Sequence, residues 1–435
     1  MTGKKSVKKL DTQKKTAGKT LIENEMSWFK VPQKVYFKRG AIDLALRELQ
    51  GKKRAFIVTD RYLFNSGKVN NVVDILDEIG IDYQIFFDIK PDPTLATINQ
   101  ALEIVRPYEP DIIIALGGGS PIDAAKIIWL LYEQPDTVFE DITIKFMDIR
   151  KNINVIPKLG EKATLIAIPT TSGAGSEVTP LAIITDTITQ TKYAIADYAL
   201  TPNMAIIDPN FVDTMSKGLT AASGINALVH ATEAYVSALA TNFTNSNALE
   251  AVKLIFRYLE RSWREGANDP IAREKMHYAA TIAGMALANS FLGLCHSMAH
   301  KLVGKFNMPH GIANALLFRQ VIKFNTTDNK QCPAYKPDKI RKKYAQIANE
   351  LGLKGNTEKE KIELYIQAID KLMKSINLPN SIGDFGVSKK DFYAKLDGMV
   401  DLVYNDQNTK AKHISKEDIK AIYEDAYTGI VRDYK

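Results

Sequence analysis

An α/β domain built on a parallel sheet, followed by an all-helical domain, is the architecture this 435-residue sequence predicts. Two observations carry it. From residue 28 to about 209, short apolar runs alternate with stretches of helical spacing, the signature of strands joined by helical crossovers. Beyond 209 every periodic stretch is helical and no run reads as a strand. The predicted division is a basic tail or linker over 1–25, the sheet-containing domain over 26–208 and the helical domain over 209–435.

In order along the chain, residues 55–59, 83–88, 111–116 and 164–168 read as buried strands. They are short, rich in Ile, Val and Phe, and bounded by turn residues. Between them, 72–79, 98–108 and 121–133 have helical spacing, so the strands are expected to run parallel. In the second half, 219–240, 247–265, 272–288, 310–324, 339–351, 358–376 and 416–426 read as helices. There is no internal repeat.

A hydrophobic content of 45% and a charged content of 25% are those of a globular protein. The longest apolar run, 282–295, is broken by Asn289 and Ser290 and falls short of the ~20 residues of a membrane span. The lysine-rich N-terminus has no apolar core or cleavage site, so it is not a secretory signal. Two cysteines, Cys295 and Cys332, make no disulfide framework and fit a reducing cytoplasm. The net charge of +7 suggests nucleic acid, but seven lysines against Asp11 and Glu23 give residues 1–24 a net +5, leaving +2 for the rest. That segment reads as a basic arm for an acidic partner or as a solvated tail; no nucleic acid is expected.

The run DIIIALGGGSPIDAAKIIWLL passes from strand to helix through Gly117, Gly118, Gly119 and Ser120. Glycines let a backbone approach a diphosphate, Ser120 can cap the helix, Pro121 suits its first position, and free N–H groups at a helix start bind anions. The same cluster also serves as a structural turn. Asp60, ending the first strand in FIVTD, can accept hydrogen bonds from a ribose and repel a 2′-phosphate, favouring NAD over NADP; a helix N-cap is its other reading. Asp92, in PDPT, is a candidate for the adenosine side or a turn former.

Four of the six histidines form a constellation. His230 follows Asn226 by four residues, on one helix face. His296 and His300 repeat that spacing in CHSMAH, and His310 opens the next helix in NMPHGIANALL. Imidazoles from several helices can enclose a transition metal, or they can be hydrogen-bonded core residues.

Together the stretches ALGGGSPIDAAK, IPTTSGAGSEVTPLAIITD, KYAIADYALTPNMAIIDPNF, GINALVHATEAYVS, FLGLCHSMAHKLVGKFNMPHGIANAL and SIGDFGV resemble the iron-containing alcohol dehydrogenase family over about residues 25–400. KFMDIRK and FNMPHGIANALLFRQVIKFN are similar to its subgroup formed by the C-terminal half of bifunctional aldehyde–alcohol dehydrogenases. TQKKTAGK is similar to the linker preceding that half, so a free-standing relative or an excised domain is expected. The CHSMAH…PHGIANAL stretch favours this branch over glycerol dehydrogenases and dehydroquinate synthases.

The resemblance implies a dehydroquinate synthase-like fold, NAD(H), one Fe2+ (or Zn2+), a small alcohol or aldehyde substrate and a homodimer or larger homo-oligomer. Its cofactor contacts match Asp60, Asp92, Gly118, Gly119, Ser120, Pro121, Ile122, Asp123, Thr170, Thr171, Ile183, Lys192 and Phe211. Its metal ligands match His230, His296 and His310. His300 matches a histidine near the nicotinamide, with proton relay to the alkoxide and a structural role as its two readings. The sequence departs from the family at the fourth ligand: in G-x-D-A-x-x-H, Asn226 stands where an aspartate is the rule. An amide oxygen is neutral and a weaker donor, so reduced metal affinity is expected, and with it the alternative of a metal-impaired domain retained for assembly. A second departure is NDQNTKAKHISKED, without the cysteine and N-P-R usual there.

Overall fold

The computed structural model describes residues 28–137, 156–187, 191–328, 337–406 and 414–434. The N-terminal lysines, KFMDIRK, Cys332 and residues 407–413 of the departing segment lie outside them. The first half contains strands β1 (Lys34–Phe37), β2 (Arg54–Val58), β3 (Asp82–Phe86), β4 (Ile112–Gly117), β5 (Thr164–Pro169), β6 (Leu181–Asp186), β7 (Thr191–Ala196) and β8 (Met204–Ile207). Its helices of five residues or more are α1 (Ala41–Arg47), α2 (Arg61–Asn65), α3 (Asn70–Glu78), α4 (Leu95–Tyr108) and α5 (Gly119–Glu133).

Six strands form one parallel sheet in the order β1-β8-β5-β4-β2-β3. Successive residues of a strand point to opposite faces, and here both faces are covered. Phe56, Val58, Ile113, Ala115, Leu165 and Ala167 pack with α4 and α5. Ala55, Ile57, Ile112, Ile114, Ile166 and Ile168 pack with α1 and α3. Two covered faces are why the central strands read as continuous apolar runs rather than alternating ones. β2 is followed by β3 on one side and β4 lies on the other, so the chain reverses direction between β2 and β4. Such a switch point opens a crevice at the carboxyl ends of the strands.

β6 and β7 form an antiparallel hairpin in which Ile183 pairs with Ala194 and Thr185 with Lys192. It is tied to α5 by Lys126, a fully buried lysine whose Nζ donates to the Thr179 and Leu181 carbonyls, each at 2.7 Å.

The second half is helical among the described residues: α6 (Lys217–Val236), α7 (Asn242–Glu265), α8 (Pro270–Ser290), α9 (Leu294–Phe306), α10 (His310–Thr326), α11 (Pro337–Glu350), α12 (Glu358–Ser375), α13 (Lys389–Tyr404) and α14 (Lys416–Thr428). One apolar core runs through it. Several of these helices start on a side-chain cap: Ser216 accepts from the Leu219 amide, Thr241 and Ser415 form capping boxes, and Asp269, Thr357 and Ser388 cap α8, α12 and α13. Helix α9 has no side-chain cap of its own. It leaves α8 at an angle of 108° through Phe291, a non-glycine residue at φ 61°, and Gly293. No single described helix is long and apolar enough to cross a membrane; the bent pair α8–α9 meets the test by length and composition, and most of its residues are buried in this core.

The expectation of a helix-covered sheet followed by helices holds. Strands β1, β6, β7 and β8 and helices α1, α2, α9 and α13 were not anticipated from the sequence. Ser120 does not cap α5: Gly118, in an extended conformation, is the N-cap residue, with no side-chain cap bond, and Pro121 sits third in the helix rather than first.

Candidate active site

The residues expected to meet a dinucleotide gather along the carboxyl edge of the sheet. Asp60 follows β2 and Oδ1 caps α2 by accepting the Leu63 amide at 2.9 Å. Asp92, exposed and at φ 57°, sits in the turn before α4. Gly118 through Asp123 open α5 after β4. Thr170 and Thr171 follow β5, and the Thr170 amide donates to the Gly117 carbonyl at 2.9 Å. A Cβ on Gly118 would lie 3.1 Å from the Thr171 methyl, and one on Gly119 3.3 Å from Ala174, so the glycines let the two loops approach closely. Asp123 Oδ2 accepts the Ile183 amide at 3.1 Å, which places these two expected cofactor contacts against each other. Asp123 Oδ1 is buried without a partner, and burial pushes the carboxyl up to about 6. Phe211 is buried in the sheet core beside this edge. Of Lys192 the backbone alone is described, opposite Thr185. A helix start lacking a side-chain cap, at a switch point, suits a diphosphate.

The four histidines come together from three helices. His230, on α6, and His296, on α9, stack with ring centroids 4.7 Å apart. His310, at the start of α10, lies 5.4 Å from His296 and 5.1 Å from His300. Burial first, and then neighbouring rings, push His230, His296 and His300 well below the usual imidazole range. They are therefore neutral, with lone pairs available. His230 Nδ1, His296 Nε2 and His300 Nε2 are buried without a hydrogen-bond partner.

Asn226 is close to the same rings. Its Nδ2 donates to the Gly173 carbonyl at 3.3 Å, and its Oδ1 accepts from Asn314 Nδ2 at 2.8 Å. A carbonyl can only accept, so the amide orientation is fixed with Oδ1 towards Asn314. Among the described residues no three His, Cys, Asp or Glu side chains form a ready ligand shell. The donor set nonetheless fits a divalent transition metal: unpartnered imidazole nitrogens are the ligands Fe2+ and Zn2+ accept.

One carboxylate missed by sequence reasoning belongs here. Glu233, on α6, accepts from His296 Nδ1 at 2.6 Å and from the Gly293 and Cys295 amides at 2.9 and 2.8 Å. Its spacing of three from His230 was the available signal.

The segment 172–177 joins the two clusters. Ser172 Oγ lies 3.2 Å from His277 Nδ1, and Thr281 Oγ1 donates to Glu177 at 2.7 Å. A Cβ on Gly173 would fall 2.4 Å from the Ser223 carbonyl oxygen; one on Gly175, at φ 70°, would fall 2.7 Å from the Gly284 Cα. Bare backbone is thus required where the loop presses on α6 and α8. The phosphate-type loop and the imidazole cluster are separated by one short, closely packed segment.

The uncapped start of α5 and the imidazole cluster are the two candidate sites of this fold, and comparison with known proteins gives the family. The profile "Iron-containing alcohol dehydrogenase" matches residues 32–209, and "Fe-containing alcohol dehydrogenase family, C-terminal" matches residues 220–427. The chain belongs to the iron-containing alcohol dehydrogenase family. It is 48% identical over 97% of its length to the bifunctional aldehyde-alcohol dehydrogenase of Escherichia coli K12, covering 48% of that protein. It is 38% identical, over 94% of its length and all of the relative, to an NADPH-dependent butanol dehydrogenase of Clostridium saccharobutylicum. The solved iron-containing alcohol dehydrogenase of Thermococcus thioreducens superposes with a TM-score of 0.82, at 33% identity, over 93% of this chain and all of that one. The chain spans about half the length of the bifunctional relatives it matches.

Proposed function

We propose that the chain interconverts short primary alcohols and aldehydes, acetaldehyde to ethanol foremost, using NAD(H) and a divalent metal, Fe2+ or Zn2+. The observation that carries this reading is the cluster of four imidazoles, with unpartnered nitrogens on His230, His296 and His300, one short segment away from the α5 loop. His230, His296 and His310, with Asn226, would hold the metal; Asp60, Asp92, Gly118 to Asp123, Thr170, Thr171, Ile183, Lys192 and Phe211 would bind the dinucleotide. Bound there, the nicotinamide supplies a hydride and the metal polarises the carbonyl.

The chain's own residues orient and protonate. The α5 amides hold the diphosphate and Asp60 the ribose. His300, whose Nε2 is unpartnered and whose ring neighbours His310, would pass a proton to the alkoxide. A homodimer or larger homo-oligomer in the cytoplasm accompanies this reading, on the family resemblance and the low cysteine count; neither nucleic acid nor membrane enters it.

A second reading, a metal-impaired domain kept for assembly, rests on Asn226, whose oxygen is already met by an amide donor. NADH oxidation with acetaldehyde separates the two. Protein reconstituted anaerobically with Fe2+ is expected to turn over and chelated protein to stop. A folded, NADH-binding chain with no turnover in either state would overturn the first reading and leave the second.

A further inference from the structure

We propose that Glu233 is the anion of the histidine cluster: it positions His296 and supplies the negative charge that the amide at 226 lacks. This rests on the metal-dependent reading above. Glu233 lies on α6 three residues after His230 and seven after Asn226, so all three share a helix face. It is 4% exposed, and a charge so buried persists only when well paired.

At least three donors meet its two oxygens. Two are the amides of Gly293 and Cys295, at the uncapped start of α9. There they satisfy orphan N–H groups and meet the positive end of the helix. The third is His296 Nδ1. An ionised carboxylate only accepts, so His296 carries its proton on Nδ1 and its lone pair on Nε2. Nε2 is the buried nitrogen without a partner, on the ring that stacks with His230 and neighbours His310. One side chain therefore starts the helix, sets the tautomer and aims the lone pair into the cluster.

A dication held by neutral imidazoles as buried as His230 and His296 carries a large desolvation cost unless an anion is near. Asn226 contributes none, and its amide is bound to Gly173 and Asn314. Asp406, whose charge also reaches His300, is paired with Lys301 at 3.1 Å and with Ser297. Glu233 is bonded directly to a ring of the cluster, one imidazole away from where a metal would sit. Orienting partners of this kind change metal affinity by about 10–100-fold.

The test measures Zn2+ and Fe2+ dissociation constants of the full chain by competition with a chromophoric chelator. Wild type, E233Q, N226D and N226D/E233Q are compared, with circular dichroism and NADH fluorescence as controls. E233Q is expected to bind metal about 10–100-fold more weakly with NADH affinity unmoved, and N226D/E233Q to recover most of the loss. Should E233Q not fold, E233D, which draws the charge one methylene back from His296, is read against the same threshold. A folded E233Q within twofold of wild type would overturn the proposal and leave the metal reading standing. A wild-type chain that binds neither metal overturns both.

Discussion

Asn314 Nδ2 donates to Asn226 Oδ1 at 2.8 Å and lies 3.1 Å from His310 Nε2. One amide nitrogen thus links the atypical residue to the ring that opens α10. Replacing Asn226 by Asp would give Asn314 a charged acceptor and the cluster a second carboxylate. N226D is expected to raise Fe2+ affinity about tenfold or more, with higher iron content after purification and greater turnover. Equal metal content in both proteins would show that the amide is no handicap.

Asp60 caps α2, and under the proposed function it also selects the dinucleotide; one substitution separates the two. Serine is as good a helix cap as aspartate but cannot repel a 2′-phosphate. D60S is therefore expected to keep the melting temperature while raising the NADPH-to-NADH ratio of kcat/KM about tenfold, or ~1.4 kcal/mol of differential binding. An unchanged ratio would reduce Asp60 to a cap.

His277, fully enclosed beside Ser172, has its pKa pushed down to about 3 by burial. In the unfolded chain its ring titrates near the ordinary 6.5. Above that, both states are neutral and its contribution to stability is complete. Below it, the unfolded chain gains a proton that the folded chain refuses, so stability falls by ~1.4 kcal/mol per pH unit until about pH 3. H277Q lacks this contribution, and its urea midpoint should fall less steeply than that of wild type between pH 6.5 and 4. Parallel slopes would refute the assignment.

Gly175 combines φ 70° with so close an approach to the Gly284 backbone that no methyl group fits between them. G175A is expected to lose ~2–4 kcal/mol, read as a lower melting temperature, and to weaken NADH binding, because the same loop carries Thr170 and Thr171. A melting temperature within a degree of wild type would mean that the loop yields.

The central strands were legible in the sequence because they are buried on both faces. β2, β4 and β5 lie under helices on both faces, so their apolar runs stand out. β1 and β8 have four residues each and offer no period to read. The hairpin β6–β7 lies within a motif, and its short strands are only half-buried on one side. Helix α9 was obscured because 282–295 reads as a single apolar run; the turn at Phe291 depends on a left-handed residue that is not glycine. Site histidines are conspicuous because the chain has so few. Glu233 is not, because its role appears only when Gly293 and Cys295 are folded against it.

The packing of Gly173 and Gly175 on α6 and α8 also bears on how such chains can be recombined. The sheet half and the helical half do not meet like plug and socket, since the carbonyl that receives Asn226 belongs to the other half. A chimera joined near residue 209 would inherit a loop from one parent and the helices it must touch from another. Segments 172–177, 220–226 and 277–284 should therefore be exchanged together, as a single inherited unit.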